Sequence, residues 1–285
     1  MGHIEIRNVS KAFQSGGRLK PVLDDVSLSV ARGEFVAIVG SMGCGKSTLL
    51  SLAAGLTVPD SGTVLIDGTP VTGIRPDVSI VFQNYALLPW YSALENVRLG
   101  LQAARPEWSR SQQRDHATTF LEKVGLGNAL HRRPGQLSGG MRQRVAIARA
   151  FATEPDILFL DEPFGALDAL SRGALQQELA RMCASQEKPV TVLMISNNVD
   201  EALLLADRVV PMTRAPRATL AAGVPVRLPR PRDPVFLAHD PASSRVRADV
   251  VAALTGANRS GPRAGRAGTA ARERHGALAV AMEGE

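Results

Sequence analysis

The stretch Gly40-Ser41-Met42-Gly43-Cys44-Gly45-Lys46-Ser47-Thr48 carries the densest chemistry in the chain. Two glycines separated by four residues, then lysine and a hydroxyl residue, make a loop whose backbone N–H groups can close around phosphate oxygens. Lys46 adds a mobile positive charge for the outer phosphates of a nucleotide, and the Ser47 hydroxyl can ligate Mg²⁺. Before the loop lies the apolar run Phe35-Val36-Ala37-Ile38-Val39, which predicts a buried strand. After it comes Leu49-Leu50-Ser51-Leu52-Ala53-Ala54, which predicts a helix. That helix would point its positive N-terminal end at the anion. Cys44 reads as a small residue that fits the loop, not as a nucleophile.

A second group of candidates follows further along. Asp161-Glu162 closes the apolar run Ile157–Leu160. In a parallel sheet ligands collect at the carboxyl ends of strands. Asp161 is therefore expected at the same rim as Ser47, as a Mg²⁺ ligand, and Glu162 as the base that polarises an attacking water. Gln83 is expected to end another apolar strand, Val78–Gln83, where its amide oxygen can hold Mg²⁺ or the water. Ser138-Gly139-Gly140 opens a helical pattern and offers a hydroxyl, backbone N–H groups and a helix dipole, a second anion cradle in one chain.

These residues need a scaffold. Ile4–Val9 and Val22–Val30 alternate apolar and polar, as half-exposed strands do, and Thr63–Gly68 reads as a strand and turn. From about Ser92 to Ala150 the periodicity becomes helical, with Leu94, Val97, Leu99 and Leu101 on one helix and Gly125 stopping a second. Thereafter strands Asp156–Asp161, Val190–Ile195 and Arg208–Val210 alternate with helices over about Ala169–Ala184 and Val199–Ala206. The reading is an α/β fold with a mainly parallel core sheet, an antiparallel β part and a helical insertion. Six prolines between Pro211 and Pro234 predict a linker or irregular wrap, and Phe236–Leu254 a short terminal helix. Beyond Ala257 the Ala-, Gly- and Arg-rich chain is expected to be disordered.

Bulk properties set outer bounds. The 285 residues suffice for a full core, and no stretch approaches the length of an uncharged membrane span. Met1–Glu5 lacks the basic-then-apolar pattern of a secretory signal, and two cysteines, Cys44 and Cys183, predict a reducing compartment. The net charge of +6 resides wholly in residues 214–285, which hold 12 Arg against 6 acidic residues. The preceding residues balance, which argues against nucleic acid as a partner of the main body. For the basic tail, contact with phospholipid or nucleic acid stands as the alternative to disorder. The five histidines show no metal-ligand spacing.

The order of the motifs resembles that of the ABC-type ATPase subunit. Gly40–Thr48, Gln83, Leu137-Ser138-Gly139-Gly140-Met141-Arg142-Gln143-Arg144 and Ile157–Pro163 follow one another at that family's spacing, with Gly165-Ala166-Leu167-Asp168 as its D-loop. The resemblance covers about residues 3–213. It implies a head-to-tail homodimer, or a pair with a paralogous ATPase subunit, that sandwiches two ATP molecules. Each site would combine the phosphate loop of one copy with Ser138–Gly140 of the other. Phe13 matches the aromatic that stacks on adenine. By the same resemblance the ATPase domain spans 1–235, with the helical subdomain at about 92–150. A C-terminal extension follows over 236–256, and a tail over 257–285.

Val81–Trp90 and Val199–Arg208 are similar to the ATPases of nitrate, sulfonate, taurine and bicarbonate importers. Asn197 stands where most ABC ATPases carry a switch histidine, and Pro211-Met212-Thr213 follows. Nitrate-type members share both features, which points to nitrate, nitrite or cyanate uptake. Taurine or alkanesulfonate, and bicarbonate, are the alternatives; a soluble non-transport ABC ATPase is the alternative of another class. The implied partners are integral membrane permease subunits, met by Tyr85–Trp90, and indirectly a periplasmic or lipoprotein solute-binding protein. The implied place is the cytoplasmic face of a bacterial inner membrane. Two departures stand out. Ser41 and Met42 replace the family's usual Pro and Ser. Asn197 cannot titrate, so Glu162 is expected to activate water while Asn197 senses the γ-phosphate.

Overall fold

The computed structural model describes residues 2–165, 167–184 and 189–259. Ala166 of the expected D-loop and the tail from 260 onward lie outside the described residues.

The strands form two sheets. β1 (Ile4–Ser15), β2 (Arg18–Val30), β4 (Ser61–Ile66) and β5 (Thr69–Pro70) make an antiparallel sheet of order β2-β1-β4-β5. β1 and β2 are joined by the tight Gly16-Gly17 turn. The second sheet runs β10-β9-β3-β8-β7-β6. Its members are β3 (Phe35–Val39), β6 (Val78–Val81), β7 (Ile157–Asp161), β8 (Thr191–Ser196), β9 (Arg208–Pro211) and β10 (Val224–Pro225). All its pairings are parallel except that of β10 with β9.

The central strands are apolar at nearly every position because both faces are covered. Phe35, Ala37, Val39, Leu158, Leu160, Val192 and Met194 face one core, which contains the helical insertion. Val36, Ile38, Ile157, Phe159, Leu193 and Ile195 face the other, shared with the antiparallel sheet and α1 (Lys46–Ala53). The insertion consists of α2 (Ala93–Ala104), α3 (Arg110–Lys123) and α4 (Gly139–Ala152). Capping boxes start α2 and α3: Ser92 with Glu95, and Ser109 with Gln112. Leu94, Val97 and Leu101 are buried as expected, but Leu99 is exposed; it falls off the face that the other three share.

Register brings the strand ends together. Val39 of β3 pairs with Ser196 of β8, and Asp161 of β7 pairs with Ile195 of β8. The residues that follow these strands, Gly40, Asn197 and Glu162, therefore leave the sheet side by side.

α5 (Ala169–Ala184) and α6 (Val199–Leu205) complete the α/β part. The proline-rich segment is an ordered wrap: Ala218 bridges Leu23, Leu220 bridges Met212, and β10 joins the sheet. Arg232 fastens it, donating to the carbonyls of Leu203 at 2.9 Å, Ala206 at 2.6 Å and Val226 at 3.0 Å. Burial pushes its guanidinium down to about 10. Two of those carbonyls are at the end of α6, where helix acceptors lack intrahelical donors. One terminal helix was expected; there are two, α7 (Pro234–His239) and α8 (Pro241–Arg259). The tail expected from 257 is thus corrected at its start, since 257–259 are the last helical residues of α8. Among the described residues no helix is long and apolar enough to cross a membrane.

Candidate active site

The loop after β3 folds as its glycines dictate. Gly45 is the N-cap of α1 with φ +108°, and a Cβ there would meet Val22 Cγ1 at 2.9 Å. Neither the dihedral nor the space admits a side chain. Lys46, only 3% exposed, begins the helix. Its ammonium donates to the carbonyls of Gly40 and Ser41, each at 3.1 Å, and to Asn197 Oδ1 at 2.6 Å. Ser47 Oγ donates to Asp161 Oδ1 at 3.1 Å. Burial raises the Asp161 carboxyl above its usual range, and the neighbouring Glu162 charge adds to that, while the Ser47 bond opposes it. Cys44 is buried and its thiol is raised by burial, as a packing residue requires.

Glu162 occupies a left-handed backbone position, φ +44°, a cost that non-glycine residues bear mainly at functional sites. Its backbone N–H donates to Ile195 of β8 at 3.0 Å. Its carboxylate accepts from Asn197 Nδ2 at 2.7 Å and lies 3.7 Å from the Lys46 ammonium. The Asn197 amide is thus a bridge, with its oxygen on the cation and its nitrogen on the anion. The sequence offered Asn197 as a phosphate sensor; the structure also makes it the piece that spaces Lys46 from Glu162.

A cavity of about 440 Å³ opens over this group, lined by Phe13, Val22, Met42, Gly43, Gly45, Lys46, Ser47, Thr48, Gln83 and Glu162. A second, about 340 Å³, shares Met42, Gln83 and Glu162 with it and adds Asn197, Gly165 and Arg172. Phe13 is 43% exposed at the edge of the first, brought there by the β1–β2 hairpin. Gln83 reaches both cavities, but from a turn: β6 ends at Val81, two residues before the expected strand end. Phe82 prolongs the apolar run without prolonging the ladder.

Ser138–Gly140 stand elsewhere. Ser138 caps α4, accepting from the Met141 N–H at 3.3 Å, and the three line neither cavity. Asp168 also lines neither; its Oδ1 accepts from Ser171 N–H at 2.9 Å at the start of α5. Met42 is 84% exposed. Sequence reading missed Val22 and Arg172, which line the cavities. Val22 sits on a strand whose alternation says only that it is half-buried, and nothing about Arg172 marks it in the sequence.

A family model described as ABC transporter matches residues 23–165. The chain is 48% identical over 250 residues to the nitrate import ATP-binding protein NrtD of Synechococcus elongatus, covering 88% of this chain and 90% of that protein. It is 46% identical over 238 residues to the nitrate transport protein NasD of Klebsiella oxytoca, covering 83% and 90%. With the bicarbonate transport ATP-binding protein CmpD of Synechocystis sp. it shares 44% over 244 residues, 86% of each chain. Among solved structures, the dimeric post-hydrolysis state of the ATP-binding cassette MJ0796 bound to ADP and Pi superposes with a TM-score of 0.70. The identity is 31%, over 79% of this chain and 99% of that one.

Proposed function

This chain belongs to the ABC transporter family, and from that premise we propose that it is the ATP-hydrolysing subunit of an importer for nitrate. The observation that carries the catalytic part is the convergence of Lys46, at the end of the loop after β3, with Asn197 and Glu162, the residues after β8 and β7, beside Ser47 and Asp161. ATP places its outer phosphates on Lys46 and the backbone N–H groups of the Gly40–Thr48 loop. The Glu162 carboxylate takes a proton from water as the water oxygen attacks the γ-phosphorus, and the bond to the β–γ bridging oxygen breaks, giving ADP and phosphate. Ser47, Asp161 and Gln83 are oxygen donors of the kind a hard dication takes, and they would hold Mg²⁺. Bound there, Mg²⁺ neutralises charge on the β- and γ-phosphate oxygens. Phe13 receives the adenine.

Ser138–Gly140, which line neither cavity of their own chain, serve the nucleotide of a second copy. The MJ0796 cassette, described as dimeric with ADP and Pi, supports that pairing. The exposed Trp90 and the turn before it meet a membrane permease at the cytoplasmic face. The names of NrtD and NasD support nitrate as the solute; CmpD, at 44% identity, keeps bicarbonate as a second reading.

Glu162→Gln is the test. The amide oxygen still accepts from Asn197, so geometry is kept while the base is lost. The variant should hydrolyse no ATP and should pair in solution when ATP and Mg²⁺ are saturating. A monomer under those conditions refutes the shared site. Uptake of labelled nitrate and of bicarbonate in cells lacking the chain separates the two solutes.

A further inference from the structure

Phe13 reaches the nucleotide cavity from a stretch of β1 that its own sheet supports only in part. The pairing of β1 with β4 ends at Ser10 and Ser61. Around that point the β1–β2 register shifts, between Val9 and Lys11 and again between Lys11 and Ala12. Such irregularities leave ladder groups unpaired and bend the strand. Asp60, the residue before β4, takes over where the ladder stops. Its backbone N–H donates to the Ser10 carbonyl at 3.0 Å, and its Oδ2 accepts from the Ala12 N–H at 2.7 Å. Its Oδ1 accepts from the Lys11 ammonium at 2.6 Å. One residue thus holds Ser10, Lys11 and Ala12, and the next residue along the strand is Phe13.

Lys11 completes the arrangement at the ring. Its side chain is only 14% exposed, and its ammonium lies over the Phe13 ring, 5.5 Å from the centroid. An ammonium at that distance is attracted by the face of an aromatic ring. The bond from Lys11 first, and then that from Ala12, holds the Asp60 carboxyl below its usual range. An ion pair with a half-exposed carboxylate adds little to stability. What it fixes is where the ammonium, and the ring beneath it, are held.

Asp60 is also tied to the phosphate loop. α1, which Lys46 begins, runs into the link that ends at Asp60. That link folds back on the helix: the N–H groups of Leu56 and Thr57 donate to the Ser51 carbonyl at 2.9 and 3.3 Å. Within it Gly55 has φ +73° and lies so close to Gly73 that a Cβ would come within 2.3 Å of that carbonyl oxygen, so no other residue fits the turn. Phosphate cradle and aromatic ring are therefore joined through α1, the link, Asp60 and β1, with hydrogen bonds at each joint.

We infer that Asp60, acting with Lys11, is a positioning residue that sets the Phe13 ring at a fixed offset from the phosphate loop, so that base and phosphates of one nucleotide are met together. This assignment rests on the adenine contact proposed above for Phe13. The ammonium holds one face of the ring and the base takes the other. A ring already in place costs less to order when the nucleotide binds. Without the carboxylate, the Ala12 N–H loses its acceptor, Lys11 is released from the ring, and the ring must be ordered anew by each base.

The experiment titrates the full chain with ADP and, separately, with inorganic pyrophosphate, each with Mg²⁺, by calorimetry. ADP brings the base; pyrophosphate meets the phosphate loop alone. Phe13→Ala should lower ADP affinity about fivefold, the scale of one aromatic contact, and leave pyrophosphate binding as in the parent. Asp60→Ala should lower ADP affinity about threefold, the scale of ordering one side chain, again with pyrophosphate binding unchanged. In the Phe13→Ala background, Asp60→Ala should cost nothing further, because no ring is left to place. Lys11→Arg, which keeps a cation and a donor for the carboxylate, should bind ADP like the parent. A parallel fall for both ligands, which a general loosening would give, overturns the inference. So does parent-like ADP affinity in Asp60→Ala, or a loss that adds in full to that of Phe13→Ala. If Asp60→Ala fails to fold, Lys11→Met, which leaves the Asp60 bond to Ala12 in place, decides alone: an ADP loss of about twofold or more with pyrophosphate unchanged supports the assignment, and no loss overturns it. If Phe13→Ala itself binds ADP like the parent, the adenine contact falls and takes this assignment with it; if it binds more weakly, only the placing of the ring is at stake.

Discussion

Asn197→Ala removes an amide that bonds two charges at once, and its effect can be worked out from the distances. The oxygen accepts from Lys46 at 2.6 Å and the nitrogen donates to Glu162 at 2.7 Å. Hydrogen bonds to charged groups are worth about 1.5–3 kcal/mol each. Part of that is recovered, because Lys46 keeps the Gly40 and Ser41 carbonyls and Glu162 can close on it from 3.7 Å. Closure is what harms the proposed reaction: the lysine it assigns to phosphate and the carboxylate it assigns to water neutralise each other. A net loss of about 2 kcal/mol corresponds to roughly 30-fold in kcat. Steady-state phosphate release from the purified chain measures it, alongside ADP affinity as a control for the loop. Asn197→His sharpens the test. A neutral imidazole can accept from Lys46 and donate to Glu162, but an imidazolium cannot accept. The ratio of variant to parent activity should therefore fall as pH drops through the imidazole pKa, around 6.5 when unperturbed. An alanine variant with the parent's kcat, or a histidine variant whose ratio stays flat from pH 6 to 8, refutes the bridging role.

What the sequence disclosed depended on how local each signal was. The Gly40–Thr48 loop, the acidic pair Asp161-Glu162 and the helix opened by Ser138 are contiguous, and each was found where it stands. The Lys46–Asn197–Glu162 bridge was not legible, because it arises from the register of β3, β8 and β7, which only the sheet order reveals. Phe82 extends the apolar run and so predicts a strand to Gln83; the backbone turns first, and the left-handed Tyr85 and Ala86 give no compositional sign. The C-terminal helices are a different kind of miss. Asp233-Pro234 and Asp240-Pro241 each put a capping carboxylate before proline at the first helical position, and Asp233 does accept from the N–H groups of Val235 and Phe236. That signal was present and was submerged in a proline-rich stretch.

Two further outcomes are expected. Phe13→Ala should weaken ATP binding by about 1 kcal/mol, the scale of an aromatic stacking contact, while the exposed position leaves the melting temperature almost unchanged; calorimetry with ATP that shows no loss removes Phe13 from the adenine site. His3 makes the fold sensitive to acid. It is buried between the two sheets, with Nδ1 2.6 Å from the Thr191 hydroxyl. That hydroxyl oxygen also accepts from the Gly33 N–H at 2.9 Å. Burial first, and then the Arg32 charge, lowers the His3 pKa below the ordinary value of 6.5. The unfolded chain therefore takes up a proton near pH 6.5 that the folded chain still refuses. Stability from this group is present above that pH and is lost as pH falls through the window beneath it. Glutamine can exchange the same hydrogen bond with Thr191 without titrating, so His3→Gln should flatten the fall in melting temperature between pH 6.5 and 5. If the variant and the parent lose stability with the same slope, the neutral buried imidazole is not what the acid attacks.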